Sequence, residues 1–425
     1  MMKSMRNGWA AWLGALGMSV VLATPARGST PAEATDPALA RAIAVLDSTI
    51  LFDGHNDLPM VIRRYAPAPG DVLAYDLRTR TPGETDLERL RAGRVGAQFW
   101  SVYIPGEGRG PFTRPQLDQI ELTLRIIERY PDALMLATTA AEVRAAKEKG
   151  LIASLLGMEG GYGIENSLDA LRAFHRLGVR YMALTHNAHT DWADAAVQIP
   201  PRHGGLTDFG KEVVREMNRL GMIIDLSHAA PSSMADTLDL TEAPVMFSHS
   251  SARGLCDVPR NVPDDILRRM PKNGGVVMVT FVAGFINCEV GRVIEPAMAE
   301  LSLRARAAES DTERSRIMRE GLAAIEVPVT TISMVADHID YVRDVAGIDH
   351  VGIGGDFDGN PRWPEGLSDV SMYPALFAEL VRRGWSDDDL RKLAGENMLR
   401  VMEEVERVAA RLQSERPPST RVFEP

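Results

Sequence analysis

The chain has 425 residues, 45% apolar and 25% charged, with 36 glycines and 26 prolines, which excludes collagen-like, low-complexity and disordered classes. A net charge of −11 without any dense Lys/Arg block excludes a nucleic-acid partner held by phosphate neutralisation. The length suits two or three domains, or one α/β barrel with insertions.

Residues 1–28 read as a targeting segment. Lys3 and Arg6 open it, an apolar run spans Trp9 to Ala23, and small residues with a helix breaker follow in Ala23-Thr24-Pro25-Ala26. That order is a secretory signal peptide cleaved near residues 26–29. The run is too short to span a bilayer, which takes roughly 20 residues. The expected location is therefore exported, periplasmic or secreted. The two cysteines, Cys256 and Cys288, invite one disulfide in such a compartment. Zinc bound through thiolates is the competing reading, although no CxxC spacing supports it.

Eight short apolar or β-branched runs follow in order: 49–52, 95–104, 151–158, 180–185, 222–227, 244–248, 275–282 and 350–354. Several are nearly continuous in apolar residues, as strands buried on both faces are. The intervening stretches 165–177, 208–220, 232–240, 264–270 and 330–345 carry helical spacing, two of them stopped by Gly178 and Gly221. Eightfold strand–helix alternation predicts an α/β fold, a (β/α)8 TIM-type barrel over residues 29–413. An open doubly wound sheet is the alternative, disfavoured because the first strand leads into Asp53-Gly-His-Asn-Asp57 and not into a glycine-rich phosphate loop. Between the seventh and eighth strands, residues 289–327 form a charged helical insertion, read as a solvated excursion with a lid or dimer contact as the alternative. Residues 386–413 close the fold with helix. Residues 414–425 read as a flexible tail without a lipid-anchor pattern.

The residues just past the strand ends carry the functional signal. They are His55 and Asp57, Glu159, His186, His228, His249 and Asp356. Four of only nine histidines fall there, and in a barrel these strand ends converge on one mouth. Alternating positions on an extended strand face the same way, so His55-x-Asp57 can offer two ligands to one ion. Glu159, at the end of a buried strand, is costly unless paired or metal-bound. Three histidines, an aspartate and a glutamate suffice for two borderline metal ions, which a carboxylate can bridge. His175, His189, His203, His338 and His350 carry no such signal.

These residues sit in segments resembling the renal or membrane dipeptidases, a peptidase family (M19) within the metal-dependent hydrolase barrels. The segments are Asp53-Gly-His-Asn-Asp-Leu-Pro59, Gln98–Tyr103, Gly157-Met-Glu-Gly-Gly161, Leu184-Thr-His186, Trp192-Ala-Asp194, Ile224–His228, Phe247–Ser251, Arg260-Asn-Val-Pro-Asp264 and Gly354-Gly-Asp-Phe-Asp-Gly359. They run in family order over about residues 45–405. The resemblance implies a dipeptidase with two zinc ions: His55 and Asp57 on one, His228 and His249 on the other, Glu159 bridging. It implies that His186 contacts substrate, that Arg260 binds the substrate's terminal carboxylate, and that Asp356 is the acid/base. It also implies a Cys256–Cys288 disulfide. Water activated between the ions would be the nucleophile, and dipeptides the substrates, with a homodimer as a family expectation. The positions of a second family disulfide hold Gly106 and Ala188 instead. Competing readings are another barrel amidohydrolase, such as an N-acyl-amino-acid deacylase or a β-lactam-opening hydrolase, and an inactive exported barrel that binds peptide or metal.

Overall fold

The structure is a computed structural model describing residues 36–106 and 110–424, so the expected leader at 1–28 lies outside the described residues. Among the described residues nine strands form: β1 (Leu51–Asn56), β2 (Val95–Ser101), β3 (Leu134–Leu136), β4 (Ile152–Met158), β5 (Val179–Ala183), β6 (Ile223–Asp225), β7 (Met246–Phe247), β8 (Val276–Val279) and β9 (Val351–Ile353). All neighbours pair in parallel. The order β2-β1-β9-β8-β7-β6-β5-β4 closes through a β2–β4 pairing, giving an eight-stranded barrel ringed by helices. The open doubly wound sheet is thereby excluded.

The extra strand, β3, pairs with Ile152–Ser154 at the start of β4, below the point where β5 takes over at Leu156. Sequence reading missed it because three residues of mixed burial carry no periodic signal. It also left helices Pro37–Ser48, Thr113–Arg129 and Ala140–Glu148 unassigned. The barrel strands are buried almost throughout, as the continuous apolar runs required. Phe52, Phe99, Leu155, Tyr181, Met246 and Met278 are among the buried side chains of one core cluster, fed by every barrel strand except β9. Packing there is tight enough that a Cβ on Gly354 would lie 1.9 Å from the Ser248 carbonyl oxygen, and one on Gly54 2.5 Å from it.

Two helices, Cys288–Arg306 and Asp311–Ala323, occupy the β8–β9 connection, and Arg362 donates to the carbonyls of Leu322, Ala323 and Ile325 at the end of the second. Residues 416–424, where the sequence suggested a flexible tail, make definite contacts. Arg172 donates to the Ser419 carbonyl, the Ser419 amide donates to Glu216, and Phe423 meets the Phe209 ring edge-on at 5.3 Å.

Candidate metal centre

At the C-terminal mouth of the barrel, Glu159 is 4% exposed and lies at the centre of the polar cluster. One carboxylate oxygen, Oε2, faces His55 Nε2 at 3.5 Å and accepts from the Ser101 hydroxyl at 3.3 Å. The other, Oε1, faces His228 Nε2 at 3.0 Å, His249 Nε2 at 3.4 Å and His186 Nε2 at 3.8 Å. The Nε2 atoms of His228 and His249 are 2.9 Å apart. On the far side of His55, its Nε2 lies 3.4 Å from Asp57 Oδ2 and 3.9 Å from Asp356 Oδ1. Three sets of ligand atoms therefore converge: His55/Glu159/His249, Glu159/His186/His228 and His55/Asp57/Asp356.

All five expected ligands meet, but His55 and Asp57 do so by a route other than strand alternation. His55 lies within β1, whereas Asp57 has left the extended conformation (φ −94°, ψ 16°) and stands at the N-terminus of helix Leu58–Arg63. Its side chain caps nothing in that helix, which leaves the carboxylate to face His55. The chain turns there because the Asn56 side chain accepts from the Leu58 amide and Pro59 starts the helix. His228 and Asp356 both hold left-handed backbone (φ 68° and 64°), a strained conformation for residues with side chains that concentrates at functional sites.

The second nitrogen of His55, of His228 and of His249 is held from behind. His55 Nδ1 pairs with the Tyr181 hydroxyl at 2.7 Å, and His228 Nδ1 with Asn187 Oδ1 at 3.2 Å. His249 Nδ1 pairs with the Ser248 hydroxyl at 2.8 Å, which itself donates to Asp225 at 2.6 Å. Such partners fix the tautomer and aim the free nitrogen at a metal. Asp53, fully buried, accepts from the His55 amide, the Gln98 amide group, the Gly355 amide and the Tyr373 hydroxyl, tying β1, β2 and the β9 loop together. None of these supporting residues was singled out from sequence, although a buried Asp in an apolar strand is itself a signal.

The electrostatics separate two carboxyls. Burial alone would raise Glu159, but His55 and His186 beside it, with hydrogen bonds from His228 and His249, hold it well below the usual carboxylate range. Asp356 is pushed well above it by burial, reinforced by Asp57 and Glu159. Burial, with Arg260 and His186 nearby, keeps His228 well below the usual histidine range; burial and His55 do the same to His249. The residues fit a bound cation: the His228 and His249 rings, kept toward the neutral form, face a carboxylate, and among the described residues the buried His55 Nε2 has no hydrogen-bond partner.

Arg260 is 4% exposed and its pKa is lowered by burial to about 10. Its guanidinium donates to the His249 carbonyl at 3.2 Å and the Ser250 hydroxyl at 3.4 Å, and no carboxylate of the described residues lies within 4.0 Å of it. Its Nε has no partner. The disulfide joins Cys256 to Cys288, with Cα atoms 5.2 Å apart, which rules out thiolate zinc.

Residues 39–416 match the family described as membrane dipeptidase, peptidase family M19. The chain is 41% identical over 382 residues to Dipeptidase 3 of Rattus norvegicus, covering 88% of this chain and 69% of that one. Dipeptidase 3 of Mus musculus matches at 41% as well, over 68% of its length. Among solved structures, the probable dipeptidase PvdM of Pseudomonas aeruginosa superposes with a TM-score of 0.74 at 25% identity, covering 88% of this chain and 99% of that one. A metallopeptidase of Rhodobacter sphaeroides, liganded with a phosphinate mimic of the dipeptide L-Ala-D-Ala, gives 0.68 at 27%, covering 84% and 99%.

Proposed function

The chain belongs to the membrane dipeptidase family and is an M19 metallopeptidase, and from that premise we propose that it is a two-zinc dipeptidase acting outside the cytoplasm on dipeptides with a free C-terminal carboxylate. The observation that carries this reading is the division of Glu159, one oxygen toward His55 and the other toward His228 and His249. His55 and Asp57 would hold one ion, His228 and His249 the other, and Glu159 both. Ions held by these residues would supply Lewis acidity and a water acidic enough to act as nucleophile.

The chain's own residues do the rest. Arg260, buried and in no close ion pair with a carboxylate of the described residues, presents a planar fork that pairs with the substrate's terminal carboxylate. His186, tilted against the Tyr103 ring and close to Glu159, donates to the oxygen that becomes negative. Asp356, whose Oδ1 lies 3.9 Å from His55 Nε2, takes the proton the water loses and returns it to the leaving amine. The phosphinate dipeptide mimic bound by the Rhodobacter sphaeroides relative supports the substrate class. The disulfide supports an oxidising location.

The test is hydrolysis of a dipeptide panel, with both stereochemistries at the second residue, before and after chelation and zinc restoration. Turnover should vanish with chelation and return with zinc. A chelation-insensitive activity, or hydrolysis of N-acyl amino acids and β-lactams in preference to dipeptides, would overturn the proposal.

A further inference from the structure

Arg260 sits near the end of a loop that folds back on itself after β7. The Val262 amide donates to the Ser251 carbonyl at 2.8 Å and the Arg253 amide to the Val262 carbonyl at 2.9 Å, so the loop is pinched at its base. From its own segment the guanidinium is held only through its terminal nitrogens, which donate to the His249 carbonyl and the Ser250 hydroxyl. A further contact comes from a different element, the segment that follows β8.

Three ties, through Asn261, His338 and the disulfide, hold the two together. The buried Asn261 side chain donates to the Cys256 carbonyl at 2.9 Å and, across to the other segment, to the Phe285 carbonyl at 2.8 Å. His338 accepts from the Ala252 amide at 3.1 Å and its other ring nitrogen meets the Ile286 carbonyl at 3.0 Å. The Cys256–Cys288 disulfide closes the outer end. Between these ties, the Phe285 ring stands with its centroid 5.2 Å from the Arg260 guanidinium carbon. Consecutive residues thus grip one partner: Asn261 takes the backbone of Phe285 and Arg260 takes its ring. A guanidinium over an aromatic face loses rotation about its long axis, and each terminal nitrogen, having given one N–H to the His249 carbonyl or the Ser250 hydroxyl, keeps a second for a carboxylate.

We propose that the Cys256–Cys288 disulfide, Asn261 and Phe285 form a brace that positions Arg260, so that the bridge sets substrate affinity as well as stability. This rests on the reading of Arg260 as the carboxylate-binding residue. These three are positioning residues and touch no reacting atom. Opening the brace lets the guanidinium swing and forfeits one arm of a charge-assisted pair, about a tenfold loss of affinity.

The experiment measures kcat and KM of zinc-loaded enzyme for a dipeptide and for the corresponding dipeptide amide, which lacks the carboxylate. The variants are the double substitution Cys256→Ala/Cys288→Ala and, as one that leaves the bridge in place, Phe285→Leu. Both should raise dipeptide KM about tenfold while kcat stays within about twofold, with the amide's KM unchanged. In an Arg260→Ala background neither change should add anything. An unchanged dipeptide KM in Phe285→Leu overturns the brace, as does an equal rise for dipeptide and amide. If Arg260→Ala alone leaves KM unmoved, the assignment of Arg260 fails first and the brace falls with it; if Arg260→Ala raises KM and the brace variants do not, only the brace falls.

Discussion

His228 and His249 point their Nε2 atoms at one another across 2.9 Å, from the ends of two adjacent strands. Their Nδ1 atoms are engaged by Asn187 and Ser248, and burial keeps both rings toward the neutral form. Two facing imidazole nitrogens and the Glu159 oxygen 3.0 and 3.4 Å away form a set of lone pairs that a cation satisfies together. Glu159→Ala and His228→Ala should each strip metal from the purified protein and lower kcat by about a thousandfold or more, the several kcal/mol of lost Lewis acidity. Metal analysis beside turnover checks this; full zinc content with full turnover in His228→Ala would refute the ligand set.

His186 lies as near to Glu159 as a ligand would, at 3.8 Å, so its role has to be separated from metal binding. His186→Ala should keep both metal equivalents and lose about a hundred- to a thousandfold in kcat, as loss of an oxyanion donor does. Asp356→Asn should likewise keep metal and lose about a hundred- to ten-thousandfold. Loss of one metal equivalent in His186→Ala would make it a ligand.

Arg260→Ala should raise KM for dipeptides by about ten- to a hundredfold, the worth of hydrogen bonds between charged groups. It should do so with little change in kcat, because the terminal carboxylate is bound alike before and during the reaction. Steady-state kinetics on a dipeptide and its amide measures the effect, and equal losses on both substrates would contradict it.

His338, 2% exposed, is held by burial at about pKa 4, below the ordinary 6.5. The unfolded chain therefore binds a proton there between pH 6.5 and 4 that the folded chain refuses. Its contribution to stability is present above pH 6.5 and is lost as pH falls toward 4, by about 3 kcal/mol in total. Denaturant unfolding of metal-free protein should show the wild type losing about that much relative to His338→Gln, whose amide keeps one donor and one acceptor. Parallel pH profiles for the two proteins would exclude the effect.

The disulfide spans 32 residues of sequence. In the chain-entropy account, a loop of that length stabilises the fold by about 3–4 kcal/mol. Cys256→Ala/Cys288→Ala should lower unfolding stability by that order, read from denaturant midpoints at constant slope.

The barrel and the polar residues at its mouth were legible from the sequence because buried strands advertise themselves as continuous apolar runs. A Glu or His closing such a run, as Glu159, His228 and His249 do, is conspicuous against it. Asp57 was found for the wrong geometric reason, since its convergence with His55 depends on a turn into a helix and not on strand pleating. Tyr181, Asn187 and Asp225 were invisible because each supports a histidine from another strand or loop, a relationship that exists only once the barrel closes. The Arg260–Phe285 contact escaped for the same reason: 24 residues of intervening chain separate two segments that meet only because β7 and β8 are neighbours.

Packing beneath Ser248, where neither Gly54 nor Gly354 has space for even one methyl group, stops the barrel from acting as a tube. Whatever reaches the polar cluster must arrive from above and depart the same way. Both halves of a cleaved molecule therefore share a single doorway with the next arrival, and each turnover has to empty the vestibule before another can begin.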